Sequence, residues 1–169
     1  MSLIEYANRK YDYLALQNVN PARKTRLGLE LFNADTSGAI CVGIQKLAQR
    51  WLLEFMTEVG SMPGLPERGC SFMRAARTGK FLTRRHVETE FVRANIDVRR
   101  NLQAEEYDDM PDDEKFASAE LLNSVVVPEN IVGAKTATSA AYLNITVKIN
   151  SLAGDSRQII VPVDAIPQA

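Results

Sequence analysis

Residues 43–69 read GIQKLAQRWLLEFMTEVGSMPGLPERG, a helical pattern that runs into a loop rich in glycine and proline. Apolar side chains recur every three or four residues in the first half, at Ile44, Leu47, Ala48, Trp51, Leu52 and Phe55. The polar residues Gln45, Gln49, Arg50 and Glu54 lie away from that stripe. A helical period of 3.6 residues places such a stripe on one side. The pattern therefore predicts a helix over residues 43–58 with one buried and one solvated face.

The loop after this helix is shaped by its backbone. Its glycines and prolines are Gly60, Pro63, Gly64, Pro66 and Gly69. Glycine admits backbone angles that other residues avoid, and proline fixes its own φ angle. We therefore expect a loop with a specified conformation, suited to hold a ligand or a neighbouring protein.

Length and composition indicate one globular domain. The chain has 169 residues, of which 46% are hydrophobic and 24% are charged, values that argue against disorder. No apolar run approaches the roughly 20 residues that span a bilayer, and the N-terminus lacks a secretory signal. We expect a soluble protein made in a cytoplasm. Cys41 and Cys70 are far apart and form no CxxC, which predicts free thiols in a reducing compartment.

The net charge of −1 conceals a strong asymmetry. Residues 74–100 are rich in base, with Arg74, Arg77, Lys80, Arg84, Arg85, Arg93, Arg99 and Arg100. Residues 105–120 invert the balance, since Lys115 is their single base among many acids. The two segments could attract each other or charged partners, but solvated faces that pair locally are the simpler interpretation.

Further elements follow along the chain. We interpret residues 1–24 as an N-terminal arm and residues 25–169 as a single domain, with an early strand over 25–32. Residues 71–77 form a short helical candidate. Thr83 is placed to cap a second amphipathic helix over 84–106, whose buried stripe is Val87, Phe91, Ala94, Val98 and Leu102. Pro111 disfavours helix in the acidic stretch after it.

The C-terminal third favours strands. Residues 116–127 could begin as a helix, but Val125, Val126 and Val127 favour a strand in the second half. Alternation over 142–150 and the β-branched run 158–163 predict a hairpin that turns at Gly154 and Asp155, with Pro162 on an edge. Core helices over about 43–106 and a sheet over about 116–166 make an α+β fold, two amphipathic helices packed with a small antiparallel sheet.

The sequence contains few residues in patterns that are typical of catalytic, metal-binding or phosphate-binding sites. His86 is the single histidine and neighbours two arginines, so a zinc site is not predicted. No phosphate-binding glycine motif is present, and we predict no cofactor and no metal. Glu54, Glu58 and Glu67 could imitate the paired carboxylates of a glycosidase, so a peptidoglycan-cleaving hydrolase stays open as an alternative. A basic nucleic-acid-binding module is a further alternative, with Phe81 and Phe91 as its aromatics.

The helix and loop resemble the core of the sheath-initiator family, the small baseplate wedge subunits of contractile phage tails, with relatives in type VI secretion baseplates. Ile44, Leu47, Leu52, Thr57 and Gly60, then Pro66 and Gly69, occupy places comparable to that family's helix and Pro/Gly loop. The segments ELLNSVVV and YLNITVKINSLAGDSRQIIVPV resemble its closing strands. The Glu-Pro-Arg triplet of many relatives is missing, which leaves any contact made through it without a counterpart.

This resemblance implies a non-enzymatic virion protein in a six-fold baseplate, assembled in the bacterial host cytoplasm. Its implied partners are baseplate wedge proteins, the tail sheath subunit and the tail tube, without nucleic acid or membrane. Strand addition would template sheath polymerisation. The expected sheet interface comprises Tyr142, Asn144, Thr146, Lys148, Gln158, Ile160 and Pro162. The expected loop contact comprises Pro63, Gly64, Pro66, Glu67 and Arg68. Proline at Ile145 or Val147 is expected to leave soluble protein but block sheath assembly.

Overall fold

The computed structural model describes residues 10, 12–13, 40–78, 81, 83–128 and 141–164. In chain order the elements are β1 (Asp12–Tyr13), β2 (Ile40–Cys41), α1 (Gly43–Met56), α2 (Phe72–Arg77), α3 (Arg84–Ala104), β3 (Phe116–Pro128), β4 (Ala141–Ser151) and β5 (Ser156–Asp164). The α+β class is confirmed, with the helices before the sheet. The expected strand over 25–32 and the boundary at residue 24 lie outside the described residues.

The main sheet is antiparallel, in the order β3-β4-β5. The alternation of β4 is confirmed, because Leu143, Ile145, Val147 and Ile149 are all buried. Val161 and Val163 of β5 extend this inner face opposite Ile145 and Leu143. The helices pack on the inner face, with α1 against β4 and β5 and α3 against β3. The domain is thus a helical layer on a sheet.

Aromatic side chains join the helices beneath the sheet. Trp51 and Phe55 of α1 stack with ring centroids 4.6 Å apart, and Phe55 lies 4.6 Å from Phe72 of α2. Phe91 of α3 meets the same two α1 rings. Such ring pairs add roughly 0.5–1.5 kcal/mol each beyond the apolar area that they bury. The predicted stripe of α3 is confirmed, since Val87, Phe91, Ala94, Val98 and Leu102 are all buried.

Helix α1 is buried on more than its apolar stripe. Lys46 and Gln49 are buried, although Gln49 was expected on a solvated face. The Lys46 ammonium donates to Glu114 at 2.6 Å, and Gln49 donates to Asp12 at 3.2 Å. The ribbon of β1 and β2 and the turn before β3 cover this side of the helix. Long-range contacts therefore override the amphipathic pattern at the start of α1.

The starts of α3 and β3 are fixed by different interactions. Thr83 caps α3 as expected, because its side chain accepts a hydrogen bond from the His86 amide at 3.3 Å. Strand β3 begins at Phe116, so the helical alternative for its first half is wrong. Pairing with β4 along its length outweighs the local helix propensity of that segment.

Candidate assembly interface

Strand β5 lies at an edge of the sheet, because among the described residues it pairs with β4 alone. The phase of its ladder follows from the turn, where the Ser151 amide donates to the Asp155 carbonyl at 2.9 Å. In an antiparallel edge strand, the backbone amide and carbonyl of every second residue bond to the neighbouring strand, and those of the residues between point away from it. By this phase, the backbone groups of Gln158, Ile160 and Pro162 point away from β4. Pro162 agrees with this phase, since it has no amide hydrogen to donate to β4.

The predicted interface is split between two strands. Tyr142, Asn144, Thr146 and Lys148 belong to β4, which is paired with β3 on one side and β5 on the other. Their backbone groups are therefore engaged within the sheet, and the expectation that they take an added strand requires correction. The sequence pattern predicts the hairpin of β4 and β5, but it does not reveal that β3 pairs with the other side of β4. Of the predicted interface residues, Gln158, Ile160 and Pro162 lie on an edge of the sheet.

The opposite edge is covered along the first half of β3. The Asn95 side chain of α3 donates to the Ala119 carbonyl at 3.3 Å. The Glu106 carboxylate accepts from the Phe116 amide at 3.1 Å. Side chains from α3 and the turn after it thus satisfy groups that an added strand would otherwise use. Edge β5 has no such cover among the hydrogen bonds of the described residues.

The loop of residues 57–70 is fastened by a cluster of charged and polar side chains that the sequence did not predict. We call Glu54, Arg68, Asn101, Glu105 and Arg50 the Glu54 cluster. Glu54 is buried, forms an ion pair with Arg68, and accepts from the Gly69 amide at 3.1 Å and from Asn101 at 3.0 Å. The cluster joins α1, the loop and α3.

Glu105 completes the cluster from the end of α3. It pairs with Arg50 at 2.8 Å and with Arg68. Burial alone would raise the pKa of Glu105, but hydrogen bonds from Arg50 and Arg68 outweigh it and hold the pKa below its ordinary value. The sequence gives little indication of this cluster, because Glu54 lies beside the apolar stripe, where a charged residue is expected to be solvated.

The loop-contact residues have different surroundings. Pro63, Gly64, Pro66 and Glu67 are exposed at the tip, whereas Arg68 is drawn into the Glu54 cluster. Met62 and Leu65 are also exposed at the tip and were not singled out from the sequence. The structure thus presents a partly apolar loop tip and assigns Arg68 a structural role.

The three carboxylates of the hydrolase alternative have separate environments. Glu54 is buried in its cluster, and Glu58 pairs with Arg74 at 2.8 Å and with Arg77. Glu67 is exposed on the loop. Glu58, Arg74 and Arg77 line an open depression of about 690 Å³ between the loop and α2. Paired arginines favour an ionised carboxylate, which is unsuited to donate a proton.

The cysteines are free and buried. Burial raises the pKa of Cys41 and of Cys70 to about 11. In the described part of the chain, no group of three or more His, Cys, Asp or Glu side chains could hold a metal ion. None of the described helices is long and apolar enough to cross a membrane.

Three arginines of the basic segment pair with acids on the same helix. Arg84 meets Glu88, Arg93 meets Glu90, and Arg100 meets Asp97, all within α3. Phe91 is buried in the core. Phe81 is partly buried against it, with its ring centroid 4.8 Å from that of Phe72. This is the local pairing that the charge pattern suggested.

Comparisons with protein-family models, with curated proteins and with solved structures find no match.

Proposed function

We propose that this protein is a structural subunit of a contractile tail baseplate that templates sheath polymerisation by strand addition at β5. The observation that carries the proposal is the outward-facing backbone of Gln158, Ile160 and Pro162, on an edge that no described strand or hydrogen bond covers. The sheath-initiator resemblance supplies the biological setting, at the junction of wedge and tube. The sheet supplies the physical means.

An added strand would gain main-chain hydrogen bonds from β5. Gln158 and Ile160 each offer an amide and a carbonyl, whereas Pro162 offers a carbonyl alone. A carbonyl of the partner strand opposite Pro162 would therefore find no amide donor. This asymmetry favours one register over its neighbours, and register is what an initiating template must define.

The loop tip would provide a second contact, with the wedge proteins. Pro63, Gly64, Pro66 and Glu67 are exposed there. The Glu54 cluster holds the C-terminal end of the loop, and the Cys70 amide ties that end to the Thr57 carbonyl at 2.9 Å. A preorganised loop loses little conformational entropy when it binds. The arrangement suits a permanent joint between α1, α3 and a neighbour.

The geometry gives the alternatives less support. The carboxylates of the hydrolase alternative are separated into an ion-paired cluster, an arginine pair and an exposed loop. The nucleic-acid alternative loses its aromatic platform, because Phe91 is buried and Phe81 packs against the core. We therefore retain the assembly role.

A pair of variants at one position tests the proposal. Gln158→Pro removes an outward-facing amide from β5, whereas Gln158→Ala removes the side chain and keeps the amide. In a phage whose own copy is replaced, we expect Gln158→Pro to give baseplates without sheath and Gln158→Ala to give full-length sheath in electron micrographs. Normal sheaths on baseplates carrying the proline variant would overturn strand addition at β5.

Locating the chain in the particle tests the setting separately. A tagged copy viewed by electron microscopy should lie between the baseplate and the first sheath ring. Its absence from tail particles would overturn the baseplate assignment, whatever the behaviour of β5.

A further inference from the structure

Helix α3 carries a second stripe on the side away from the core. It comprises Arg85, Thr89, Val92, Ile96, Arg99 and Gln103, spaced alternately by four and three residues. Val92 is 60% exposed and Ile96 is 64% exposed, although each is large and apolar. Alternating spacings of three and four match the seam along which two helices pair. This outer stripe therefore has the spacing of a helix-docking surface.

The charges on the outer stripe are unbalanced. Arg85 and Arg99 are exposed and form no ion pair with any described residue. The neighbouring arginines of α3 differ, since Arg84, Arg93 and Arg100 each meet an acid on the same helix. The uncompensated bases thus stand on the stripe itself, on either side of its apolar centre.

We propose that the outer stripe of α3 docks an acidic amphipathic helix of a partner protein. Val92 and Ile96 would enter the partner's apolar seam, and Arg85 and Arg99 would meet carboxylates beside it. Apolar burial supplies affinity in such pairs, while flanking charges select the partner and its orientation. A partner with basic flanks would be repelled.

Other occupants fit this charge pattern poorly. A second copy placed antiparallel would bring two basic stripes together, and like charges oppose that pairing. Residues 14–39 of the same chain hold Arg23, Lys24 and Arg26 against Glu30 and Asp35, so they do not complement it either. Nucleic acid would match the arginines but would leave the apolar centre without a counterpart.

This surface is separate from the proposed strand-addition edge. Helix α3 packs beside β3, and β5 lies at the opposite edge of the sheet. Helix docking and strand addition can therefore fail independently of each other.

A synthetic peptide provides the test. The probe is an acidic helix of about three heptads, with leucine at both seam positions and glutamate beside them. We expect the full chain to bind it, as measured by fluorescence anisotropy, with chemical-shift changes in the α3 amides. The Val92→Ser/Ile96→Ser double variant should weaken binding by at least about tenfold. A peptide of the same seam with lysine for glutamate should not bind.

Matched arginine variants separate docking from general charge attraction. Arg99→Glu should weaken binding by about tenfold or more, whereas Arg84→Glu, away from the flanks of the stripe and paired with Glu88, should change it less than about twofold. Circular dichroism should report an unchanged fold, because all these side chains are exposed. Absence of peptide binding, equal effects of the two arginine variants, or oligonucleotide binding insensitive to the serine double variant would each overturn the proposal.

Discussion

Gly69 lies directly against the backbone of Thr57. A Cβ at Gly69 would stand 2.7 Å from the Thr57 carbonyl carbon and closer still to its oxygen. Its φ of +87° lies in the left-handed region that side chains disfavour. The Cys70 amide donates to the same Thr57 carbonyl at 2.9 Å, so this contact closes the loop. Two independent constraints thus require glycine at the point where the loop returns to α1.

Gly69→Ala should destabilise the protein by about 2–4 kcal/mol, because it adds a steric clash to backbone strain. Gly64→Ala is the matched control, since Gly64 has a φ of +83° but open space around it. The control should cost about 1 kcal/mol from strain alone. Urea unfolding of both variants measures the difference. Equal losses would contradict the close approach to Thr57.

Glu54→Gln should destabilise the protein by about 2–3 kcal/mol. The change removes the charge that meets Arg68, the Gly69 amide and Asn101 in a buried site. Part of Arg68 remains solvated, so the loss falls below that of a fully buried pair. Glu88→Gln, which breaks the exposed pair with Arg84, should cost less than about 0.5 kcal/mol. Similar losses in the two variants would rule out the Glu54 cluster as a major contribution to stability.

Glu105 should make the protein sensitive to acid. Its pKa in the folded protein lies below the unfolded value of about 4.3. A depressed pKa stabilises the fold fully above the unfolded value, and this stabilisation disappears as pH falls through the folded pKa. Glu105→Gln should therefore be less stable than wild type at pH 7, and the difference should shrink as pH falls through the folded pKa of Glu105. Urea midpoints across this range provide the measurement, and parallel curves would contradict the ion pairs.

Cys41 and Cys70 should react slowly with iodoacetamide in the native protein. At pH 8 a thiol with a pKa of about 11 is ionised in roughly one molecule per thousand, and both thiols are buried. Both should label rapidly in denaturant. Above about pH 9 the unfolded chain loses its thiol protons first, so native stability should decline toward pH 11. Fast labelling of the folded protein would contradict this burial.

The apolar periodicity was sufficient to predict the helices that form the core. Trp51, Phe55 and Phe91 fall on stripes that the structure buries, because each helix needs an apolar side against the sheet. Lys46 and Gln49 escaped prediction for a different reason. Their burial depends on Glu114 and Asp12, which are remote in sequence. A pattern on one helix carries no information about a distant turn that covers its other side.

The candidate interface was predicted in part for a similar reason. Alternation identified β4 and β5 as strands and Pro162 as an edge residue, since a proline lacks the amide that a central position requires. It did not reveal that β3 pairs with the second side of β4. Strand order depends on contacts between distant segments, so Asn144 and Thr146 could not be separated from Gln158 and Ile160 by periodicity alone.

Proline should destabilise the central strand β4 much more than the edge strand β5. Val147 is fully buried in the central strand, and the ladder phase directs its amide toward β5, so Val147→Pro removes an internal hydrogen bond and disturbs the core. We expect a loss of about 3 kcal/mol or more, so the central position of β4 favours an unstable protein over the soluble, assembly-defective one expected from the sequence pattern. Gln158→Pro should stay folded, with a loss of about 1 kcal/mol, because its amide faces outward from β5. Thermal unfolding by circular dichroism distinguishes them, and a stable Val147→Pro protein would contradict the central placement of β4.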